Sequence, residues 1–258
     1  MELRVLAVGD VCGASGVKYA CANLRRLRRE HAVDFCVVNG ENADGVGLLP
    51  DQAERLFTAG ADVITLGNHS FNRRQIVPML EDSPYLLRPQ NLSPLAPGRG
   101  VGLYDCGRHS LCVIDLIGRC NMDFAPDNPF LQVETLLKDL PTRLVLVELH
   151  AEATSEKRAM GYFLDGKVSA VWGTHTHVPT ADAQVLPKGT GYVTDLGMTG
   201  PIQSVLGIRP EQSVALFRGE LTSRFETAPG PCKLEGALFT LDTDTGRCLR
   251  AERIDVIQ

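Results

Sequence analysis

This sequence predicts an α/β fold in which two mixed β-sheets pack face to face with helices outside, in one domain spanning residues 1–258. Three observations lead there. Short runs rich in Val, Ile and Leu read as strands buried in a sheet. In the first half these runs alternate with helical stretches, which argues for a mostly parallel sheet with right-handed crossovers. The second half is richer in strands and closes on a hairpin, so a second sheet is needed to bury it. No linker, internal repeat or low-complexity segment divides the chain.

Residues 3–9 form the first strand and end in a glycine-punctuated turn from Gly9 to Gly16. A helix then runs to His31, with Ser15 as its N-cap. Arg25, Arg26, Arg28 and Arg29 cluster near its end, where cations suit the helix dipole and solvent. FCVVNG is the next strand, and a loop from Glu41 leads to a helix that starts at Pro50-Asp51 and ends at Gly60. VITLG is a strand, and a helical stretch covers residues 73–81. Residues 84–100, rich in Pro and Gly, read as a surface excursion. GLYDCG and SLCVIDL are hairpin strands, and residues 131–140 form a short helix. LVLVEL, AVWGT and GYVTD are strands with loops between them, and GALFTLD with CLRAERIDV makes the terminal hairpin.

Composition narrows the function classes. The apolar share of 44% and charged share of 22% are ordinary for a globular protein. A net charge of −5 supplies no global basic field, so a dedicated duplex-binding surface is not expected. No stretch is apolar enough to span a membrane, and the start lacks the pattern of a secretory signal. The eight cysteines include no Cys-x-x-Cys pair, which reads as reduced thiols of a cytoplasmic protein and not as a zinc knuckle. The glycines between 9 and 16 do not make a dinucleotide fingerprint.

The chemistry sits where the strands stop. VLAVG stops at Asp10, FCVVNG at Glu41 and Asn42, VITLG at Asn68 and His69, LVLVEL at His150, and AVWGT at His175 and His177. Ligands gather at the carboxyl ends of strands in open α/β sheets, so distant segments can meet in one small volume. The set offers two carboxylates, amide oxygens and imidazoles without thiolate pairs, which suits Mn²⁺, Fe or Zn²⁺ better than Ca²⁺. It is too large for one catalytic ion with an open position. Two ions about 3.5–4 Å apart with a bridging carboxylate fit it, and such a site attracts phosphate. Glu148, two residues before His150, either orients an imidazole or faces elsewhere. Arg88 and Arg119 are candidates for phosphate contact or for bracing loops, whereas His31 and His109 read as solvent-facing.

At these positions the sequence resembles the calcineurin-like metallophosphoesterases, through Gly-Asp near the start, Gly-Asn-His and Gly-x-His-x-His. More narrowly, GDVCG, NGENADGVGL, GADVITLGNHSF, LRPQN, ELHAEATSEK, GTHTHVPTAD and LPKGTGYVTDLGMTGP resemble the YmdB family of 2′,3′-cyclic-nucleotide 2′-phosphodiesterases, over nearly the whole chain. The resemblance implies a four-layer αββα sandwich and a dinuclear site, with Fe or Mn as the ions and Zn as a third candidate. It implies that Asp10, Glu41, Asn42 and His177 hold the first ion. Glu41 again, with Asn68, His150 and His175, holds the second. His69 is implied to be a proton donor and not a ligand. A hydroxide bridging the ions would attack phosphorus while His69 protonates the leaving ribose oxygen.

Position 12 is Cys where the wider superfamily has His, and it reads as packing more readily than as a ligand. Phe71 follows Gly-Asn-His-x and is a candidate for stacking on a base. The expected substrate is a cyclic nucleotide or an RNA-end phosphate, and the resemblance implies a homo-oligomer, a dimer or tetramer, with contacts expected at 84–100 and 200–210. A broad-specificity phosphatase or phosphodiesterase, and a nucleotide-sensing regulator with incidental turnover, are the alternatives.

Overall fold

The computed structural model describes residues 1–122 and 125–258. The chain opens with β1 (Glu2–Val8), the two-residue β2 (Asp10–Val11) and α1 (Gly13–Glu30), then returns beside β1 as β3 (Phe35–Asn39). Helix α2 (Pro50–Ala59), β4 (Val63–Thr65), a 3₁₀ turn at Arg74–Ile76, α3 (Val77–Asp82) and β5 (Leu86–Leu87) complete the alternating half. The hairpin of β6 (Val101–Asp105) and β7 (Ser110–Ile117) follows, then α4 (Pro129–Leu136), β8 (Leu144–His150), α5 (Thr154–Leu164) and β9 (Ala170–Thr174). Short strands β10 (Gln184–Val185), β11 (Gly191–Val193) and β12 (Met198–Pro201) lead to α6 (Pro210–Phe217). The long pair β13 (Cys232–Asp242) and β14 (Cys248–Ile257) closes the chain.

The strands form two mixed sheets. In the first, eight-stranded sheet the order is β2-β12-β13-β1-β3-β4-β5, with β14 also paired to β13. In the second, six-stranded sheet it is β10-β11-β9-β8-β7-β6. Strands β1, β3, β4 and β5 run parallel, as do β7, β8, β9 and β11.

Side-chain alternation explains the layering, because successive residues of a strand face opposite sides. From β1, Leu6 and Val8 pack with Val17, Leu24 and Leu56 of α1 and α2. The alternate residues Val5 and Ala7 meet Leu111, Val113, Leu146 and Trp172 of the second sheet. The outer face of that sheet, with Ile114, Val145 and Val147, is covered by Met160 and Leu164 of α5. Helix, sheet, sheet and helix therefore stack in four layers. Trp172 stacks on Phe239 across the middle, with ring centroids 5.7 Å apart, a pairing that contributes about 0.5–1.5 kcal/mol beyond its buried area.

Three expectations need correction. Helix α1 starts earlier than Ser15: Cys12 is its N-cap, and Gly13 enters with φ 68°. Residues 84–100 are not wholly a surface excursion, since β5 and the residues up to Pro89 are buried while Pro84, Tyr85, Arg99 and the stretch at 93–95 are exposed. The second half also holds α5 and α6, which the strand-rich pattern had concealed. Gly161 weakens the helical signal of α5, yet its missing side chain makes room for the Tyr192 ring, which an added Cβ would meet at 2.5 Å.

Candidate metal centre

The carboxyl ends of both parallel sets meet at one edge of the sheet–sheet junction. Asp10 follows β1, Glu41 and Asn42 follow β3, and Asn68 and His69 follow β4; β8 ends on His150, and His175 and His177 follow β9. Gly67 makes the convergence sterically feasible, because a Cβ there would collide with Glu41 Oε2 and His150 Nε2. The donor atoms of Glu41, His150 and His175 all lie within 4.8 Å of one another.

Contacts divide the set into two groups that share Glu41. His150 Nε2 lies 2.8 Å from Asn68 Oδ1, 3.0 Å from His175 Nδ1 and 3.2 Å from Glu41 Oε1. On the other side, His177 Nε2 lies 3.1 Å from Asn42 Nδ2 and 3.7 Å from Asp10 Oδ1. Asn42 Nδ2 also donates to Glu41 Oε1 at 3.0 Å. A half-turn of the Asn42 amide would present its oxygen there instead.

Each of the three imidazoles has one nitrogen tied outward. His150 Nδ1 lies 2.9 Å from Thr174 Oγ1, and that hydroxyl donates to Glu148 Oε1 at 2.9 Å, so the threonine oxygen accepts from the ring. His177 Nδ1 faces the Leu206 carbonyl at 3.0 Å, and His175 Nε2 faces Glu152 Oε2 at 3.3 Å. The inward nitrogens are thereby aimed at the shared centre, the orientation a metal-ligating histidine needs once a cation displaces its proton. Asp10 Oδ1 is buried without a hydrogen-bond partner among the described residues. A buried carboxylate oxygen in that condition is costly, and a cation beside it removes the cost. The donor set and this orphaned atom fit divalent metal.

Glu148 does face the site, but through Thr174. It also accepts from Asn39 Nδ2 at 2.7 Å, the Thr65 hydroxyl at 2.7 Å and Trp172 Nε1 at 3.0 Å. Burial still leaves its carboxyl above the ordinary value against these bonds.

The electrostatics concentrate negative charge on Glu41. Burial works against charge on Glu41, but the imidazoles of His150 and His69 outweigh it and hold the carboxyl well below the usual range. Burial pushes Asp10 up. Burial, with His150 beside it, pushes His175 down to about 3, so this ring is neutral. Burial likewise opposes charge on His150 and His177, yet Glu41 draws the first up, while Cys12 and Asp10 draw the second well up.

His69 stands at the rim, with Nδ1 2.9 Å from Asn42 Oδ1 and 3.2 Å from Glu41 Oε1. Its Nε2 makes no hydrogen bond among the described residues. It lines a cleft of about 470 Å³ with His175, His177 and Glu152, walled by Val46, Val178 and Leu206. Cys12 Sγ lies 3.5 Å from His177 Nδ1, on the outward nitrogen. Phe71 packs partly into the α1–α2 core and borders a neighbouring hollow of about 530 Å³ that reaches Asn68.

The two arginines stay out of the cluster. Arg88 is buried, and its guanidinium donates to the carbonyls of Pro89, Gln90, Ala96, Pro97 and Gly98. It braces a loop and has no donor to spare for phosphate. Arg119 is exposed just past β7, its backbone N–H held by Glu156.

Sequence reasoning passed over Glu152, Thr174, Thr176, Lys157 and Asp195. A signal existed for the last: GYVTD is another strand run that stops at a carboxylate.

A family model described as "YmdB-like protein" matches residues 6–254. The chain is 40% identical over 257 residues to the 2′,3′-cyclic-nucleotide 2′-phosphodiesterase of Bacillus subtilis (strain 168), covering 98% of this chain and 96% of that protein. The crystal structure of a phosphatase from Mycoplasma pneumoniae superposes with a TM-score of 0.95 at 33% identity, over 100% of this chain and 94% of that one. A hypothetical protein from Thermus thermophilus superposes with a TM-score of 0.93 at 38% identity, over 99% of this chain and 100% of that one.

Proposed function

The chain belongs to the YmdB-like family, and from that premise we propose that it is a single-domain, two-metal phosphodiesterase that opens 2′,3′-cyclic nucleotides. The observation that carries the reading is the ring of imidazoles, each tied outward, around the shared carboxylate of Glu41 and the unpartnered Asp10 Oδ1. Asp10, Glu41, Asn42 and His177 would hold one ion; Glu41, Asn68, His150 and His175 would hold the other. Mn²⁺ and Fe suit this mixture of oxygen and nitrogen donors, as does Zn²⁺. Such ions, when bound, acidify a water and offset charge on the phosphate.

The chain's own residues supply the rest. Glu41, kept ionised by His150 and His69, is available to both ions at once. His69 is fixed through Nδ1 against Asn42 and Glu41, so Nε2 is the atom left to pass a proton to the leaving ribose oxygen. The aliphatic walls of Val46, Val178 and Leu206 give ribose and base an apolar surface. Phe71 borders the next hollow, where a second base or the 5′ side of an oligonucleotide end would lie. Arg119, exposed just past β7, is a candidate for phosphate contact. No described helix is long and apolar enough to cross a membrane. A cytoplasmic homo-oligomer acting on RNA ends completes the proposal.

The test offers the purified protein, loaded with Mn²⁺ or Fe, 2′,3′-cyclic, 3′,5′-cyclic and linear phosphodiesters beside phosphomonoesters. Preferred cleavage of the 2′,3′-cyclic class to 3′-nucleotides supports the proposal. Equal rates on all four classes would replace it with a broad-specificity enzyme, and tight binding without turnover would leave a sensor.

A further inference from the structure

Thr176 stands between His175 and His177, and both histidines adopt left-handed backbone angles, φ 95° and 62°. Residues with a Cβ take such angles only where their surroundings force them. The His175 N–H donates to Asp10 Oδ2 at 3.2 Å, and the remaining grip on this turn is on Thr176. Its N–H and its hydroxyl both donate to Asp195 Oδ2, at 3.3 and 2.8 Å. The other oxygen of Asp195 accepts from the Gly197 N–H at 2.8 Å. Lys157 Nζ then donates to Oδ2 at 2.6 Å, and both side chains of this ion pair are 1% exposed.

Lys157 comes from α5, which follows directly on the His150 strand. Its stem is wedged against Gly173, where a Cβ would come within 2.6 Å of Lys157 Cδ. Neither Lys157 nor Asp195 lines the cleft. A buried ion pair is weak support for stability, since apolar replacements are often neutral or better. Its role here is geometric, because it fixes one carboxylate at the point where the strained turn must be gripped.

We propose that Lys157 and Asp195 are positioning residues, holding Thr176 so that His175 and His177 are set toward Glu41 and Asp10. The proposal rests on the metal-centre reading above. It requires the pair to tune metal affinity without touching metal or substrate.

Removing one outer support of a metal ligand lowers affinity about 10–100-fold. Thr176→Val deletes the hydroxyl at nearly constant shape, Thr176→Ser keeps it, and Lys157→Met removes the charge at similar length. Metal-stripped proteins would be titrated with Mn²⁺ by calorimetry, with circular dichroism and Tm recorded in parallel. Thr176→Val and Lys157→Met should lose affinity by that factor while the fold persists, and Thr176→Ser should recover most of it. Wild-type Mn²⁺ affinity in a folded Thr176→Val protein would overturn the proposal, whatever happens to Tm, and it does so even if Lys157→Met does not fold. Equal losses in Thr176→Ser and Thr176→Val would also overturn it. A wild-type protein that takes up no Mn²⁺ would refute the metal-centre reading itself, and the positioning role with it.

Discussion

The two sheets contribute different chemistry to the same site. The first supplies oxygen, from Asp10, Glu41, Asn42 and Asn68; the second supplies nitrogen, from His150, His175 and His177. The carboxylates are held by backbone N–H groups at neighbouring strand ends, Glu41 by that of His69 at 3.0 Å and Asp10 by that of His175 at 3.2 Å. The imidazoles need an acceptor on the far nitrogen, and each takes it from a different source: Thr174 with Glu148, Glu152, and the Leu206 carbonyl. The oxygen half is thus set by strand geometry, whereas the nitrogen half is set by a further layer of contacts.

The largest expected effect breaks the junction between the halves. Glu41→Ala should lose both ions and lower kcat/KM on the order of 10⁴-fold, as for residues that act as one unit. Stoichiometric metal by elemental analysis in that variant would refute the shared role. His69→Ala lies on the oxygen side but outside the proposed ligand set. It should keep its metal and lose about 10²–10⁴-fold in rate; loss of metal instead would make His69 a ligand.

Within the nitrogen half, the outer acceptors should rank by burial. Thr174→Val cuts a fully buried link and should weaken Mn²⁺ binding about 10–100-fold. Glu152→Gln alters a carboxylate that is 49% exposed, where water can substitute, and should cost only a few-fold. The reverse order in calorimetric titrations would contradict the argument.

The smallest effect is in pH. The pKa of His150 is drawn up and that of His177 well up, so protons compete with a cation for both rings. A raised pKa means that protons compete more strongly as pH falls, so Mn²⁺ affinity should rise with pH through neutrality and above. His175, at about 3, adds nothing in that window. Titrations near neutral and at mildly alkaline pH, in buffers of different ionisation heat, should show tighter binding at the higher pH together with proton release; a flat profile would count against the assignment.

The sequence made the strand ends legible because β-branched runs and their glycines are local signals. Asp10, Glu41, Asn68 and His150 could be read that way, and the pairing of sheets followed from the change of pattern at mid-chain. What stayed hidden depends on approach between distant segments. Thr174 is ordinary in AVWGT until the β8–β9 register sets it opposite His150. Lys157 lay in a helix that Gly161 disguised. Arg88 could be read as a phosphate or as a loop-bracing arginine; the carbonyls of residues 89–98 have few ladder partners, and it answers their need for donors.

Glu148 has a consequence of a mechanical kind. One carboxylate is bonded to Asn39 and Thr65 of the first sheet and to Trp172 and Thr174 of the second. It is a rivet through both plates. Sliding one sheet over the other would pull it from two of its four donors at once, and the Thr174 link would carry that shear straight to His150. The interface between the layers and the aim of the His150 ring therefore move together.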